Sequence, residues 1–455
     1  MIEFRQRSSR IDQIPAMGVQ DRSNLGEGDT LVLGIDEPIA LGPFHVDLAT
    51  TRLFRNRVEI EVRPRAFRAL KVLIQNPGRV VDYEQMIREA WDGVHVSKHT
   101  VAVTIGEIKQ ILGEYGSWIN CQPKFGYRLE IPQSEVLIRR AWHYWNQYNR
   151  VGYQNALRCF QKAEQEDGAD FRALDGISST YLMLASFVMQ APRDVAQPFW
   201  DYHNRAVAAS GQSWERRLDG AYARFVFEHD LTAAEQEMLQ LQKERPNSAH
   251  VYIRLAMVYL AGQRLDEAGQ LLPPALAADA LVPPLAFIGS LLRLYRREFG
   301  AAVQWAETHL DLHPSSPVGR AHYAEALELA GRTEDARTQY EIAVARSDIP
   351  LTLINQARFL AKTGGQREAL KILEELQRIR KNDYLDAYHV ALLLDALGRH
   401  DQAFQELERA FDEKSYTLLF LKVDPKADTM RADPRFTRLE NRLFLRSAST
   451  ASTAS

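Results

Sequence analysis

One alanine recurs at a nearly constant interval through the second half of the chain. The successive spacings are 34, 34, 34, 33 and 34 residues. The members are Ala234, Ala268, Ala302, Ala336, Ala369 and Ala403. A partner position stands twelve residues before each of them, at Tyr222, Ala256, Ser290, Ala324, Ala357 and Ala391. Small side chains in such a register are needed where paired helices cross closely, and the period is typical of a solenoid.

Turn residues fall between the two positions of several repeats, as in Gly262-Gln263, Gly331-Arg332 and Gly398-Arg399, and Pro246 and Pro314 close two units. This register resembles the tetratricopeptide repeat, which builds an all-α array of helix pairs. Extended backwards, it gives about eight repeats over residues 137–417, with an insertion in the second repeat near 192–198.

The resemblance implies a concave groove lined by the first helix of each pair, where a protein or peptide partner binds. The repeat frame places six candidate groove positions, Met257, Leu260, Leu291, Glu325, Glu328 and Arg358. Ordinary surface or packing between repeats is the alternative interpretation of each. Residues 418–446 predict helices that cap the last repeat.

A different pattern occupies residues 31–135. Short alternating segments predict strands near 42–47, 52–55 and 58–62, because a period of two marks a half-buried strand. Three helices follow, the second capped by Asp82 and the third by Ser97, and a hairpin of 117–121 with 127–131 ends the module.

This order resembles the winged-helix output domain of OmpR/PhoB-type response regulators, carried by Asn76-Pro77-Gly78-Arg79-Val80-Val81, Ala90-Trp91, Thr100-Val101 and Gly126-Tyr127-Arg128. The resemblance implies that the third helix reads base edges in double-stranded DNA and the wing grips the backbone or minor groove. The implied contact residues are Ser97, Lys98, His99, Thr100, Thr104, Glu107, Lys109, Lys124, Gly126, Tyr127 and Arg128.

The module departs from the family pattern, since Gly106, Glu107 and Pro123 stand where relatives usually carry basic residues. A carboxylate at Glu107 facing phosphate would be repulsive, and each lost cation releases one counterion fewer. Residues 41–132 contain thirteen Lys and Arg against ten Asp and Glu, a net charge of +3 within a chain of −3. The alternative is a winged helix that binds proteins, which would make the chain a non-DNA-binding adaptor or scaffold.

The remaining sequence excludes several classes of function. No apolar run reaches the roughly 18 residues of a membrane span, and the two cysteines, Cys121 and Cys159, suit a reducing cytoplasm. His309 and His313 lack a third ligand nearby, so we expect solvated side chains at a repeat end and no metal site. We find no nucleotide loop or catalytic motif, and therefore expect neither a cofactor nor an enzyme.

The sequence thus predicts a mainly α chain, in which a small α+β winged helix-turn-helix domain precedes an all-α solenoid. Residues 1–30 suggest a flexible arm and residues 447–455 a disordered tail. The arm is too short for a receiver domain, so we expect no phosphorylation input. The function expected is cytoplasmic bacterial transcription regulation, in which the array senses a partner or mediates self-association. The promoter, the partner and the sign of regulation do not follow from the residues.

Overall fold

The computed structural model describes residues 39–55, 58–168 and 170–449, and the chain divides into two compact units between Ile131 and Pro132. The arm expected at residues 1–30 and the end of the tail, 450–455, lie outside the described residues. The described helices include none long and apolar enough to cross a membrane.

The described residues of the first unit form seven strands and three α-helices. The strands are β1 Ile39–Leu41, β2 Phe44–Asp47, β3 Arg52–Arg55, β4 Val58–Ile60, β5 Val80–Asp82, β6 Ile119–Gln122 and β7 Gly126–Leu129. The helices are α1 Pro64–Gln75, α2 Tyr83–Ala90 and α3 Lys98–Leu112. An antiparallel sheet of β1-β2-β3-β4 lies before the helices, and a second antiparallel sheet has the order β5-β7-β6.

Alternation along the strands builds the core of the first unit. Phe44 and Val46 point inward from β2 and Leu53 from β3, and all three are at most 1% exposed. They join the apolar faces of the three helices in one hydrophobic cluster. The winged-helix order predicted from the sequence is confirmed, with an additional first strand, β1, and two further local differences.

The first difference is β5, which pairs with β7 in the register Val81↔Tyr127. Three residues are too few to show an alternating pattern, so the sequence did not indicate this strand. The second is the segment Gly113–Trp118, which forms a 3-10 helix, so the wing begins at Ile119 and not at Ser117.

In the described part of the second unit, sixteen helices form eight consecutive antiparallel pairs, and one more helix follows them. They are α4 Gln133–Trp145 with α5 Arg150–Glu166, α6 Phe171–Ser186 with α7 Pro192–Ser210, α8 Trp214–Ala223 with α9 Leu231–Glu244, α10 Ala249–Ala261 with α11 Leu265–Ala278, α12 Pro283–Tyr295 with α13 Phe299–Leu312, α14 Pro317–Leu329 with α15 Thr333–Ala345, α16 Pro350–Lys362 with α17 Gln366–Ile379, and α18 Ala387–Ala396 with α19 His400–Asp412. The all-α array predicted from the repeat is confirmed.

The small residues of the repeat frame lie where the two helices of a pair meet. Ala302, Ala324 and Ala336 have no exposed surface. In the one pair where serine replaces alanine, the Ser290 hydroxyl donates a hydrogen bond to the Ala302 carbonyl oxygen at 2.9 Å. A larger side chain would push these backbones apart.

The array curves until its two ends touch. Arg150 at the start of α5 donates to the Asp383 carboxylate before α18, with 2.6 Å between Nη1 and Oδ2. His229 after α8 and the Lys414 carbonyl oxygen after α19 are 3.1 Å apart at the ring Nε2. The first repeats therefore contact the last ones, and the array encloses an interior.

Residues 416–432, which we name the C-terminal insert, run through that interior. Two 3-10 segments, Tyr416–Phe420 and Pro425–Ala432, form the insert. Its Phe420 stacks on Tyr295 of α12 at 5.9 Å between ring centroids, and its Lys426 Nζ donates to Glu325 of α14 at 2.6 Å. The insert thus lies against several repeats, whereas the sequence predicted a cap on the last one.

A final helix, α20 Pro434–Ser449, follows the insert. Its Arg435 donates to Asp401 of α19 at 2.8 Å, so this helix does lie against the last repeat. The helix extends to Ser449, three residues into the segment expected to be a disordered tail.

Candidate nucleic-acid interface

One face of α3 is exposed to solvent along its whole length. Val101, Ile105, Ile108 and Leu112 form the buried stripe, each at most 2% exposed. The opposite face carries His99, Ala102, Val103, Gly106 and Gln110, all exposed. Val103 is 57% exposed, an unusual position for a branched apolar side chain. Val103 and Gln110 were missed in the sequence reasoning, although the spacing of the buried stripe indicates them.

The start of α3 is fixed by its cap. The Ser97 hydroxyl accepts a hydrogen bond from the Thr100 backbone N–H at 3.2 Å and lies 3.0 Å from the Thr100 hydroxyl. Lys98 and His99 are exposed beside it, and Lys98 Nζ lies 4.8 Å from the centroid of the Tyr83 ring. The helix N-terminus therefore presents a rigid, polar and basic edge, which suits phosphate contact.

Thr104 belongs to the interior of the unit. It is 9% exposed, and its hydroxyl donates to the Thr100 carbonyl oxygen at 3.0 Å. The position one turn beyond Thr100 on the outer face is held by Val103, because 3.6 residues per turn rotates Thr104 toward the core. Thr104 is therefore not part of the exposed surface of α3.

Glu107 has a partner that the sequence did not indicate. Its carboxylate Oε1 lies 2.9 Å from Nε of Arg63, just before α1. The Glu107 side chain is 22% exposed and that of Arg63 is 80% exposed. The ion pair offsets the negative charge that we expected to repel phosphate. Lys109, two residues further on, is half-buried.

The wing ends in an exposed turn. Pro123, Lys124 and Phe125 link β6 to β7, and Lys124 has a left-handed backbone with φ +71°. Phe125 is 70% exposed, a large apolar ring in water beside a cation. The sequence reasoning included Lys124 but missed Phe125.

The residues that follow the tip support the sheet. Gly126 has φ +155°, and an added Cβ would lie 2.0 Å from the Val81 carbonyl oxygen, so only glycine lets β5 pair with β7 there. Tyr127 is 6% exposed, and burial raises the pKa of its phenol to about 12. Arg128 forms an ion pair with Glu130. These positions stabilise the wing; Gly126 has no side chain, and that of Tyr127 is too buried to contact a ligand.

Comparison with known proteins identifies this unit. Residues 57–129 match the family described as "Transcriptional regulatory protein, C terminal". The transcriptional regulatory protein CutR of Streptomyces coelicolor is 33% identical over 78 residues, which is 17% of this chain and 36% of CutR. The phosphate regulon transcriptional regulatory protein PhoB of Rhizobium meliloti is 32% identical over 72 residues, 16% of this chain and 32% of PhoB.

The first unit is an OmpR/PhoB-type winged helix. The chain spans about a third of the length of the curated relatives that it matches. A solved thermophilic tetratricopeptide-repeat protein from Thermus thermophilus covers 43% of this chain and 98% of its own, at 20% identity and a TM-score of 0.36.

In the second unit, several of the candidate groove residues are buried or paired and do not face an open groove. Leu260 is fully buried, and Arg358 is 2% exposed because its guanidinium donates to Glu328 of the preceding repeat at 2.9 Å. These residues pack between repeats, as the alternative interpretation held. Glu325 is paired with Lys426 of the C-terminal insert.

Met257, Leu291 and Glu325 instead line an interior cavity of about 270 Å³. His309 and His313 line it too, and the expectation of a solvated side chain is wrong for His309, whereas His313 is half-buried. His309 is 8% exposed, with Nδ1 3.0 Å from the Pro283 carbonyl oxygen. Burial lowers the pKa of both imidazoles. Within the described part of the chain, no cluster of three metal-ligating side chains is formed.

Proposed function

We propose that the chain is a transcriptional regulator whose winged helix binds double-stranded DNA through α3 and the wing. The proposal rests on the exposed face of α3, which is unobstructed within the first unit. A basic helix start and a basic wing tip flank that face. A 3.6-residue periodicity that exposes one face over four turns is what a helix needs to enter the major groove.

The chemistry of that face suits base recognition. The Gln110 amide can form two hydrogen bonds with an adenine edge, and the Val103 methyl groups can contact a thymine methyl. His99 at the helix start offers a further polar contact. None of the five exposed side chains of this face is lysine, arginine, aspartate or glutamate, so affinity has to come from the surroundings of the face.

Lys98, Lys109 and Lys124 supply that affinity in our proposal, by neutralising phosphates and releasing counterions. Phe125 beside Lys124 resembles the apolar wedges that some proteins insert between base steps in the minor groove. The wing would then deform the duplex as well as contact its backbone.

The array provides the input in this proposal, by binding a protein or peptide partner or a second copy of the chain. Such an input would change the spacing of two winged helices, and hence the population able to bind a paired site. Because the C-terminal insert fills the groove, an incoming peptide has to displace it and break the buried pair of Lys426 and Glu325.

The test uses the full chain, a random pool of labelled duplexes and fluorescence anisotropy over a series of salt concentrations. Lys98→Ala and Lys124→Ala should each weaken binding to all duplexes and lower the salt slope by about one unit. Lys371→Ala, which removes an exposed lysine from α17 of the array, is the matched control and should leave the slope unchanged.

Sequence selection from the same pool tests the role of α3. His99→Ala, Thr100→Ala and Gln110→Ala should change the preferred sequence more than the salt slope. Duplex binding that shows no salt dependence, or no binding at all, would favour the adaptor that binds proteins through both units.

A further inference from the structure

The interior cavity of the array is closed on one side by the chain itself. The first helices of several repeats form most of its wall, and the C-terminal insert completes it with Tyr416, Phe420 and Asp424. Its volume is about 270 Å³, which is far more space than a single water molecule needs. The sequence retains a hole here that a few larger side chains would fill.

Most of the wall is aromatic or aliphatic. Phe287 packs against His322 at 4.5 Å between ring centroids, and Tyr148 meets His313 edge to face at 4.7 Å. Tyr295 is stacked on Phe420. Such flat, rigid surfaces favour the faces and edges of another ring.

Several polar groups in the wall have no hydrogen-bond partner within the described part of the chain, among them the Trp145 indole N–H. Asn355 is 8% exposed, yet its side-chain amide forms no hydrogen bond to any part of the chain that the structure describes. The Tyr295 hydroxyl likewise has no hydrogen bond within the described ranges, and burial with the nearby carboxylates Asp424 and Glu325 raises its pKa well above 10. The polar atoms of these two side chains are not fully buried, and such groups are the usual means by which an apolar pocket orients a ligand.

The charged groups of the wall, by contrast, are paired. Lys426 lies between Glu325 at 2.6 Å and Asp424 at 3.4 Å, and Arg254 is held by Asp219. His389 is bonded to the Asp386 carboxylate at 2.6 Å through Nδ1. Burial lowers the pKa of His309, His313 and His322, which favours their neutral forms. A charged ligand would find no free counter-charge, and an unpaired buried charge is strongly unfavourable.

We propose that this cavity binds a neutral aromatic small molecule of one or two rings, oriented by hydrogen bonds to the Asn355 amide and the Tyr295 hydroxyl. A cavity of about 150 Å³ is enough for benzene, so 270 Å³ holds a substituted ring or a fused pair. This site is independent of DNA binding, and its test uses no nucleic acid.

The site also links ligand binding to the C-terminal insert. A molecule bound between Phe287 and Phe420 contacts the repeats and the insert together. Its binding free energy stabilises the conformation in which the insert fills the groove, because a ligand favours the state that it binds. A peptide that has to displace the insert would then compete with the small molecule.

The experiment titrates the full chain with the neutral two-ring dye 6-propionyl-2-(dimethylamino)naphthalene and follows its fluorescence. We expect saturable binding to one site per chain. Asn355→Leu, which keeps the side-chain shape, should weaken binding about three- to tenfold, the range expected for one hydrogen bond. Leu291→Trp should fill the cavity and abolish binding. Asn204→Leu on the exposed face of α7 is the matched control and should bind as the parent does.

Two further measurements separate the proposal from non-specific adsorption. Saturating dye should slow hydrogen exchange in residues 416–432, and this protection should be lost in Leu291→Trp. Anionic 8-anilino-1-naphthalenesulfonate and cationic thioflavin T should bind more weakly than the neutral dye. No saturable binding, equal binding by Leu291→Trp, or preference for either charged dye would overturn the proposal.

Discussion

Replacing His322 with glutamine should remove a pH dependence from the stability of the array. His322 is 6% exposed, and its Nε2–H donates to the Ser290 hydroxyl at 2.9 Å, which itself donates to Ala302. Burial, and then the positive charge of Lys426, lowers the pKa of His322 from 6.5 to about 3. The ring is therefore neutral in the folded array at neutral and mildly acidic pH.

The sign of the effect follows from where the proton binds. Below pH 6.5 the unfolded chain takes up a proton on His322 that the folded array does not, so the free energy of unfolding falls as the pH falls from 6.5 toward 3. Each pH unit in that window is equivalent to about 1.36 kcal/mol. At pH 5, which is 1.5 units below 6.5, His322 should cost about 2 kcal/mol relative to pH 8.

Urea unfolding of the full chain, followed by far-ultraviolet circular dichroism at pH 8 and pH 5, measures this cost. His322→Gln keeps a donor for Ser290 and has no proton to gain, so it should lose about 2 kcal/mol less than the parent over this change. His143→Gln, on the exposed surface of α4, should follow the parent. If the free energy of unfolding of the parent and of His322→Gln changed equally with pH, His322 would not be the source of the pH dependence.

Three further substitutions test the packing and the charges of the two units. Ala336→Leu adds atoms where Ala336 has no exposed surface, and should cost about 1–3 kcal/mol in urea unfolding of the array. A variant as stable as the parent would mean that the 34-residue register is misplaced. Arg358→Ala leaves the Glu328 carboxylate buried without its guanidinium partner and should destabilise the array by about 3–5 kcal/mol, while a loss near zero would show that water replaces the pair. Glu107→Arg removes the ion pair with Arg63 and changes the local charge by two, so non-specific duplex affinity should rise; unchanged affinity would show that this side chain points away from DNA.

Local patterns in the sequence predicted the elements that depend on near neighbours. Ser97 and Asp82 cap their helices because each side chain accepts a hydrogen bond from the backbone N–H three residues on, at 3.2 and 2.7 Å. The alanines of the repeat mark helix crossings because a larger side chain would push the two helices apart. Such features depend on spacing alone.

The C-terminal insert could not be predicted in the same way. Its two short 3-10 segments show no helical periodicity of apolar residues. Its contacts are also distant in sequence, since Lys426 lies 101 positions after Glu325. A lysine and an aspartate two residues apart are typical of solvent-exposed surface until the carboxylate that pairs with them is known. The cavity was missed for the same reason, since its wall combines helices from most of the array.

The surface that we propose as the DNA-binding site was predicted only in part from the sequence. The resemblance to the OmpR/PhoB type led to Thr104 and Tyr127, which the structure buries. It missed Val103 and Phe125, which are exposed apolar side chains and therefore resemble core residues when only the sequence is considered. Only the solvent exposure of each side chain in the folded structure distinguishes Val103 and Phe125 from Thr104 and Tyr127.

Photocrosslinking tests directly whether α3 contacts the bases of a bound duplex. The photoreactive residue p-benzoylphenylalanine is placed at Val103 on the outer face of α3, and in a second preparation at Val58 in β4, which is 67% exposed. We expect crosslinks from position 103 to bases of a bound duplex, and we expect their yield to fall as the salt concentration rises. Position 58 should give no crosslinks. Equal crosslinking from both positions, or none from position 103, would contradict the assignment of α3 as the helix that reads DNA.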